Sequence, residues 1–96
     1  MFVTIVEGAV DADREADLRS AWEEVTTAAL PPGFIESSLL RAEDGTWRIV
    51  TVWESKEAVM TMRESGNPPA APIVFQRAGS EPSLSMWTVE GRVSAT

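Results

Sequence analysis

Three of the side chains that most often carry chemistry are missing from this 96-residue chain: it has no cysteine, no histidine and no tyrosine. Thiolate nucleophiles, disulfides, imidazole bases, His-ligated haem and phenol chemistry are excluded with them. What remains is a carboxylate run at Asp11, Asp13 and Glu15, and a scattered set made of Trp53, Thr51, Trp22, Met62, Phe75 and Arg77. The run has the alternate spacing that opens a calcium loop. Its sixth position is Ala16, where the sharp turn needs glycine, and the later ligands are absent. These carboxylates are therefore expected to cap a helix, and no metal site is expected. The second set suits an apolar pocket. Trp53 would form its aromatic wall, Thr51 would be its nearest polar group, Trp22, Met62 and Phe75 would line it, and Arg77 would steady developing negative charge. Each also has an ordinary role, the apolar ones as core and Arg77 as a solvated surface charge.

The elements that must position these residues follow from the pattern of apolar positions. Phe2 to Ala9 is β-rich and apolar at both parities, as in a strand covered on both sides. The stretch "DADREADLRSAWEEVTTAAL" places Leu18, Ala21, Trp22, Val25, Ala28 and Ala29 at helical spacing, with Asp11 or Asp13 as cap and Pro31-Pro32 as stop. "GFIESSLLRAEDGTWRIVTVWES" predicts two strands around a turn. A two-residue Asp44-Gly45 loop would oppose Arg41 and Arg48. A three-residue loop ending in a left-handed Gly45 avoids that like-charge pair. The second register pairs Arg41 with Trp47, Leu39 with Ile49, Ser37 with Thr51, and Ile35 with Trp53. Ser55 is placed to cap a helix over "KEAVMTMRES" with the stripe Ala58, Val59 and Met62, ended by Gly66-Asn67-Pro68-Pro69. "PIVFQR" is open between a short helix and a single turn, and "SLSMWTVEGRV" predicts the last strand.

This order predicts an α+β domain spanning 1–96: a ferredoxin-like split β-α-β with a four-stranded antiparallel sheet. Helices cover only one face of such a sheet, yet Val50 and Val52 alternate with Trp47, Ile49 and Trp53 on the third strand, so the other face is apolar too. A second copy of the chain is the simplest cover, and a homodimer is expected.

A formal charge of −7 with only eight Lys and Arg, none clustered, argues against nucleic acid or an anionic membrane as partner. Hydrophobic residues at 44% and charged residues at 24% are ordinary for a soluble globular domain. No apolar run reaches the roughly 18 residues of a membrane span. The opening "MFVTIVEGAV" lacks a signal-peptide pattern, so a cytoplasmic location is the default expectation.

The segment "PPGFIESSLLRAEDGTWRIVTVWESKEAV" closely resembles the central signature of antibiotic biosynthesis monooxygenase domains. It has a Pro-Gly-Phe lead-in, a strand ending in Leu-Leu-Arg, a turn, and a strand ending in Trp-Glu-Ser before an acidic helix start. The resemblance implies a dimeric α/β barrel in which each subunit keeps a cavity between its own sheet and helices. It also implies that Trp53, the Trp of Trp-Glu-Ser, lines that cavity. Haem-degrading members use a His after the second helix and an Asn in the first strand, and neither is present here. The expected function is thus a cofactor-independent monooxygenase acting on a small hydrophobic molecule, aromatic or enol-like. The alternative is a non-catalytic dimeric barrel that binds a small hydrophobic ligand or serves as an interaction module.

Overall fold

A computed structural model describes residues 1–66 and 69–95. The chain runs β1 (Phe2–Ala9), a 3-10 turn (Ala12–Arg14), α1 (Glu15–Thr26), β2 (Phe34–Arg41), β3 (Thr46–Trp53), α2 (Lys56–Glu64), α3 (Ala70–Arg77) and β4 (Ser83–Thr88). The strands form one antiparallel sheet in the order β2-β3-β1-β4, which is the ferredoxin-like arrangement expected from the sequence. No described helix is long and apolar enough to cross a membrane.

The β2–β3 hairpin turns through Glu43, Asp44 and Gly45. The Ala42 N–H donates to Thr46 O at 2.8 Å, and Gly45 takes φ 89°, a conformation that costs glycine nothing. Arg41 opposes Trp47, Leu39 opposes Ile49 and Ser37 opposes Thr51, as the loop length predicts. The expected Ile35–Trp53 pair is not formed. A β-bulge between Phe34 and Glu36 leaves Ile35 unpaired and 44% exposed, and brings Phe34 opposite Trp53 instead. Phe34 meets the Trp53 ring edge to face, with centroids 5.8 Å apart.

Helix α1 departs from expectation at both ends. Neither Asp11 nor Asp13 caps it through its side chain. The backbone first makes a 3-10 turn, closed by Arg14 N–H to Asp11 O at 2.8 Å, so both carboxylates fall ahead of the helix start at Glu15. The helix stops at Thr26, before Ala28 and Ala29. The hydroxyls of Thr26 and Thr27 fold back to accept no amide but donate to the carbonyls of Trp22, Glu23 and Glu24, which closes the last turn well short of the prolines. Ser55 does cap α2, its Oγ accepting from Ala58 N–H at 3.2 Å. Residues 72–77 are helical, within an α3 that begins at Ala70. Asn67 and Pro68, part of the expected break after α2, lie outside the described residues. The last strand ends at Thr88, so Val89 and Val93 are not part of it, and Val93 is 99% exposed.

On the helix-covered face the buried apolar residues fall into two groups. One gathers Val6, Leu18, Ala21, Trp47, Ile49, Val74 and Phe75; the other gathers Phe2, Trp53 and Val59, with Phe34, Met62 and Met86 against them. The opposite face carries half-buried Val3, Ile5, Val50 and Val52, exposed Leu40 and Trp87, and a Glu7–Arg48 ion pair at 2.8 Å.

Candidate functional site

A cavity of about 680 Å³ opens between the sheet and the helices. It is bounded by the second half of α1, the loop from Ala28 to Pro32, one side of α2, and the start of α3. Helix α1 ends at Thr26, and the segment Ala28, Ala29, Leu30, Pro31 and Pro32 that leads to β2 forms part of the wall. The volume is in the range of sites that enclose drug-sized molecules.

Of the six residues singled out from the sequence, the structure brings Trp22, Thr51, Trp53, Met62 and Arg77 to this cavity. Phe75 is not among its walls. It is fully buried in the first core group, because Gly8 presents no side chain and lets the ring approach; a Cβ there would stand 3.3 Å from it and 2.6 Å from Ser80 Oγ. The expected pocket role of Phe75 thus gives way to packing between α3 and β1.

Trp53 sits on the cavity floor, 4% exposed, and its indole N–H donates to Thr4 Oγ1 at 3.1 Å. This bond crosses diagonally from β3 to β1, since Trp53 itself opposes Phe2. Thr51 Oγ1 and Ser37 Oγ lie 2.9 Å apart beside it. Thr4 and Ser37 were not singled out from the sequence. Strand alternation could have found Thr4, which falls between Phe2 and Val6 on the inward parity. The hairpin register had already set Ser37 against Thr51.

The cavity's charged walls among the described residues are Arg63 and Arg77, with no carboxylate. Arg77 is held at the rim by an ion pair with Glu24, and its carbonyl accepts from the Arg14 guanidinium at 2.9 Å. A haem would find no His, Cys or Tyr anywhere in the chain to hold its iron, and among the described residues the thioethers of Met62 and Met86 are the only soft donors on the walls. These residues do not suit that group. No cluster of metal-ligating side chains occurs among the described residues.

Trp47 belongs to the other end of the sheet and does not line the cavity. Its N–H donates to Glu15 Oε2 at 2.9 Å, and the same oxygen accepts from Arg41 Nε at 2.8 Å. The Arg41 guanidinium, with further help from the Trp47 N–H and Arg19, holds the Glu15 carboxyl below its usual range against a smaller opposing effect of burial. The guanidinium carbons of Arg19 and Arg41 stand 5.1 and 5.8 Å from the Trp47 ring centroid.

Comparison with known proteins gives the architecture a family. Residues 1–67 match the model of the antibiotic biosynthesis monooxygenase domain. The fold is similar to SnoaB, a cofactor-independent oxygenase from Streptomyces nogalater, with a TM-score of 0.68 and 20% identity over 98% of both chains. It is also similar to MhuD, a heme-degrader from Mycobacterium tuberculosis, with a TM-score of 0.69 and 24% identity over 98% of this chain and 100% of that one. A Deinococcus radiodurans protein assigned to the antibiotic biosynthesis monooxygenases superposes with a TM-score of 0.76 at 13% identity, over 100% and 99% of the two chains. No functionally curated protein sequence matches this one significantly.

Proposed function

Since the chain belongs to the antibiotic biosynthesis monooxygenase family, we propose that it is a small-molecule oxygenase of the cofactor-independent kind, acting on an aromatic or enol-like substrate held beside Trp53. The observation that carries this reading is the cavity itself: about 680 Å³ of mostly apolar space with Trp53 and three hydroxyls on its floor. A core residue needs no such space beside it. The chain has no His, Cys or Tyr to hold a haem iron, which favours direct reaction of an activated substrate with oxygen.

Such a reaction is self-sufficient in electrons. A ring methylene flanked by electron-withdrawing carbonyl or aryl groups loses a proton to give an enolate, which is electron-rich enough to reduce O2. When the methylene becomes a carbonyl, four electrons pass to O2, one oxygen enters the product and the other leaves as water. The protein's contribution is to orient the ring, exclude bulk water and stabilise the enolate oxygen. Trp53 stacks on the substrate, Trp22, Thr51 and Met62 complete its walls, and Arg77 at the rim favours negative charge.

The apolar outer face formed by Val3, Ile5, Val50, Val52 and Trp87 supports a homodimer, in which a second copy buries that face and closes the barrel.

The test is oxygen uptake in the presence of anthrones, whose ring methylene can undergo this step, compared with their spontaneous oxidation. One O2 consumed per substrate, with loss of the rate in Trp53→Phe, is expected. Binding of these compounds without uptake by any of them would favour the second reading, a non-catalytic ligand-binding barrel. Among the described residues the cavity walls carry no carboxylate or imidazole, which speaks for that second reading, since the proton would have to leave by the substrate's own ionisation or to solvent.

A further inference from the structure

The cavity floor carries a polar feature that aromatic packing does not require. Ser37 of β2 opposes Thr51 of β3, and Thr51 opposes Thr4 of β1, so three hydroxyls stand side by side on one rung of the sheet. The rungs flanking it on the same face are apolar: Phe34, Trp53 and Phe2 on one side, Leu39, Ile49 and Val6 on the other. A single polar rung inside an otherwise apolar wall costs stability unless its hydrogen bonds are met.

Within the protein only one of the rung's three hydroxyl protons is committed. Ser37 and Thr51 share one bond, which uses one of their two hydroxyl protons. Thr4 accepts from the Trp53 indole, which fills a lone pair but leaves the Thr4 proton uncommitted. Two O–H donors on this rung therefore have no acceptor among the described residues. Thr4 and Thr51 are 8% and 6% exposed. In such surroundings an unmatched proton is harder to tolerate than an unmatched lone pair.

The charge around the cavity points the same way. The chain has 15 Asp and Glu against eight Lys and Arg, yet among the described residues the cavity walls carry Arg63 and Arg77 and no acid. Arg63 forms no ion pair among the described residues. The Glu24 carboxylate at the rim is neutralised by its pair with Arg77, so Arg63 is left as the uncompensated wall charge, which disfavours a cationic ligand and favours one rich in electrons.

We propose that Thr4, Thr51 and Ser37 form an oxygen-anchoring subsite. It takes a hydrogen-bond-accepting oxygen, carbonyl or enolate, on the edge of an aromatic ligand whose ring lies against Trp53. The subsite deepens the reading of the cavity as a ligand site and rests on it. It also assigns specificity to residues that bear no ionisable group: the rung selects ligands that present an acceptor over ligands of equal shape that present none.

Four probes sharing one naphthalene ring test this by calorimetric titration of the intact protein: 1-acetylnaphthalene, 1-naphthoate, 1-ethylnaphthalene and 1-naphthylmethylammonium. The acetyl and carboxylate probes are expected to bind roughly tenfold tighter than the ethyl probe, and the ammonium probe most weakly. Replacing the rung in Ser37→Ala/Thr51→Val should bring the acetyl and ethyl probes to within about twofold of each other while leaving the ethyl affinity in place. Thr4→Val also strands the Trp53 N–H, so Thr4→Ser is its control: the hydroxyl retained in Ser should retain the preference. Equal binding of acetyl and ethyl probes by the unaltered protein would overturn the subsite while leaving the pocket intact. Tightest binding of the ammonium probe would overturn it as well. Failure of all four to bind would instead overturn the pocket reading, and the subsite with it.

Discussion

Trp47 and Trp53 leave the same face of the same strand, six residues apart, and are buried to nearly the same degree, at 3% and 4% exposed. Around Trp47 the space is closed by long charged side chains: Glu15 takes its N–H, and Arg19 and Arg41 lie over its ring. Around Trp53 the polar partner is the short Thr4, and what lies above is a cavity. Burial alone therefore does not distinguish a structural tryptophan from one that faces a ligand. The distinction lies in what α1 supplies along its length. Its first turns bring Glu15 and Arg19 to Trp47, whereas its end at Thr26 hands over to the segment 28–32, which walls the cavity.

The largest effect that would sharpen this contrast is on stability. Trp47→Ala empties a packed end of the core and should cost about 3–5 kcal/mol, read as a fall in the urea midpoint at unchanged slope. Trp53→Phe should cost only about 1–2 kcal/mol, chiefly the indole bond to Thr4, while weakening aromatic ligands severalfold in a fluorescence titration. Equal stability losses from the two substitutions, with unchanged ligand binding, would erase the proposed difference between the ends.

A smaller effect separates the ends by pH. The Glu15 carboxyl is held below its ordinary pKa in the folded state, so its contribution is fully present above the unfolded value of about 4.3 and is lost as pH falls through the folded one. The stability gap between the unaltered protein and Glu15→Gln should accordingly be constant from pH 7 to pH 5 and close on acidification below it. Thermal melts across that range check the sign; a gap that widens in acid would contradict the assignment. Ligand binding beside Trp53 should be indifferent to this substitution. The smallest effect is expected of Arg77→Gln, whose exposed pair with Glu24 contributes at most about 1 kcal/mol. A change in affinity for 1-naphthoate without a change in melting would mark Arg77 as facing the ligand.

Much of the positioning was legible in the sequence. Gly45 and the clash of Arg41 with Arg48 fixed the hairpin register, which placed Ser37 beside Thr51, while six residues of strand put Trp47 and Trp53 at opposite ends. The bulge at Ile35 was not legible, because no glycine or proline marks it and an apolar residue is equally suited to either face. The cavity was not legible either. It depends on α1 stopping at Thr26, and "VTTAAL" continues the helical spacing of apolar positions past the point where threonine hydroxyls end the helix. Phe75 was misplaced for a related reason: its fate is decided by the absence of a side chain at Gly8, on a strand far away in sequence.

The most direct test of the contrast is a 15N–1H spectrum of the four indole N–H groups during titration with 1-acetylnaphthalene. Trp53, and Trp22 on the facing wall, should shift in proportion to occupancy, while Trp47, bonded to Glu15 outside the cavity, stays in place. A shift of Trp47 with Trp53 unmoved, or no indole shift at saturating probe, would contradict the placement of the site.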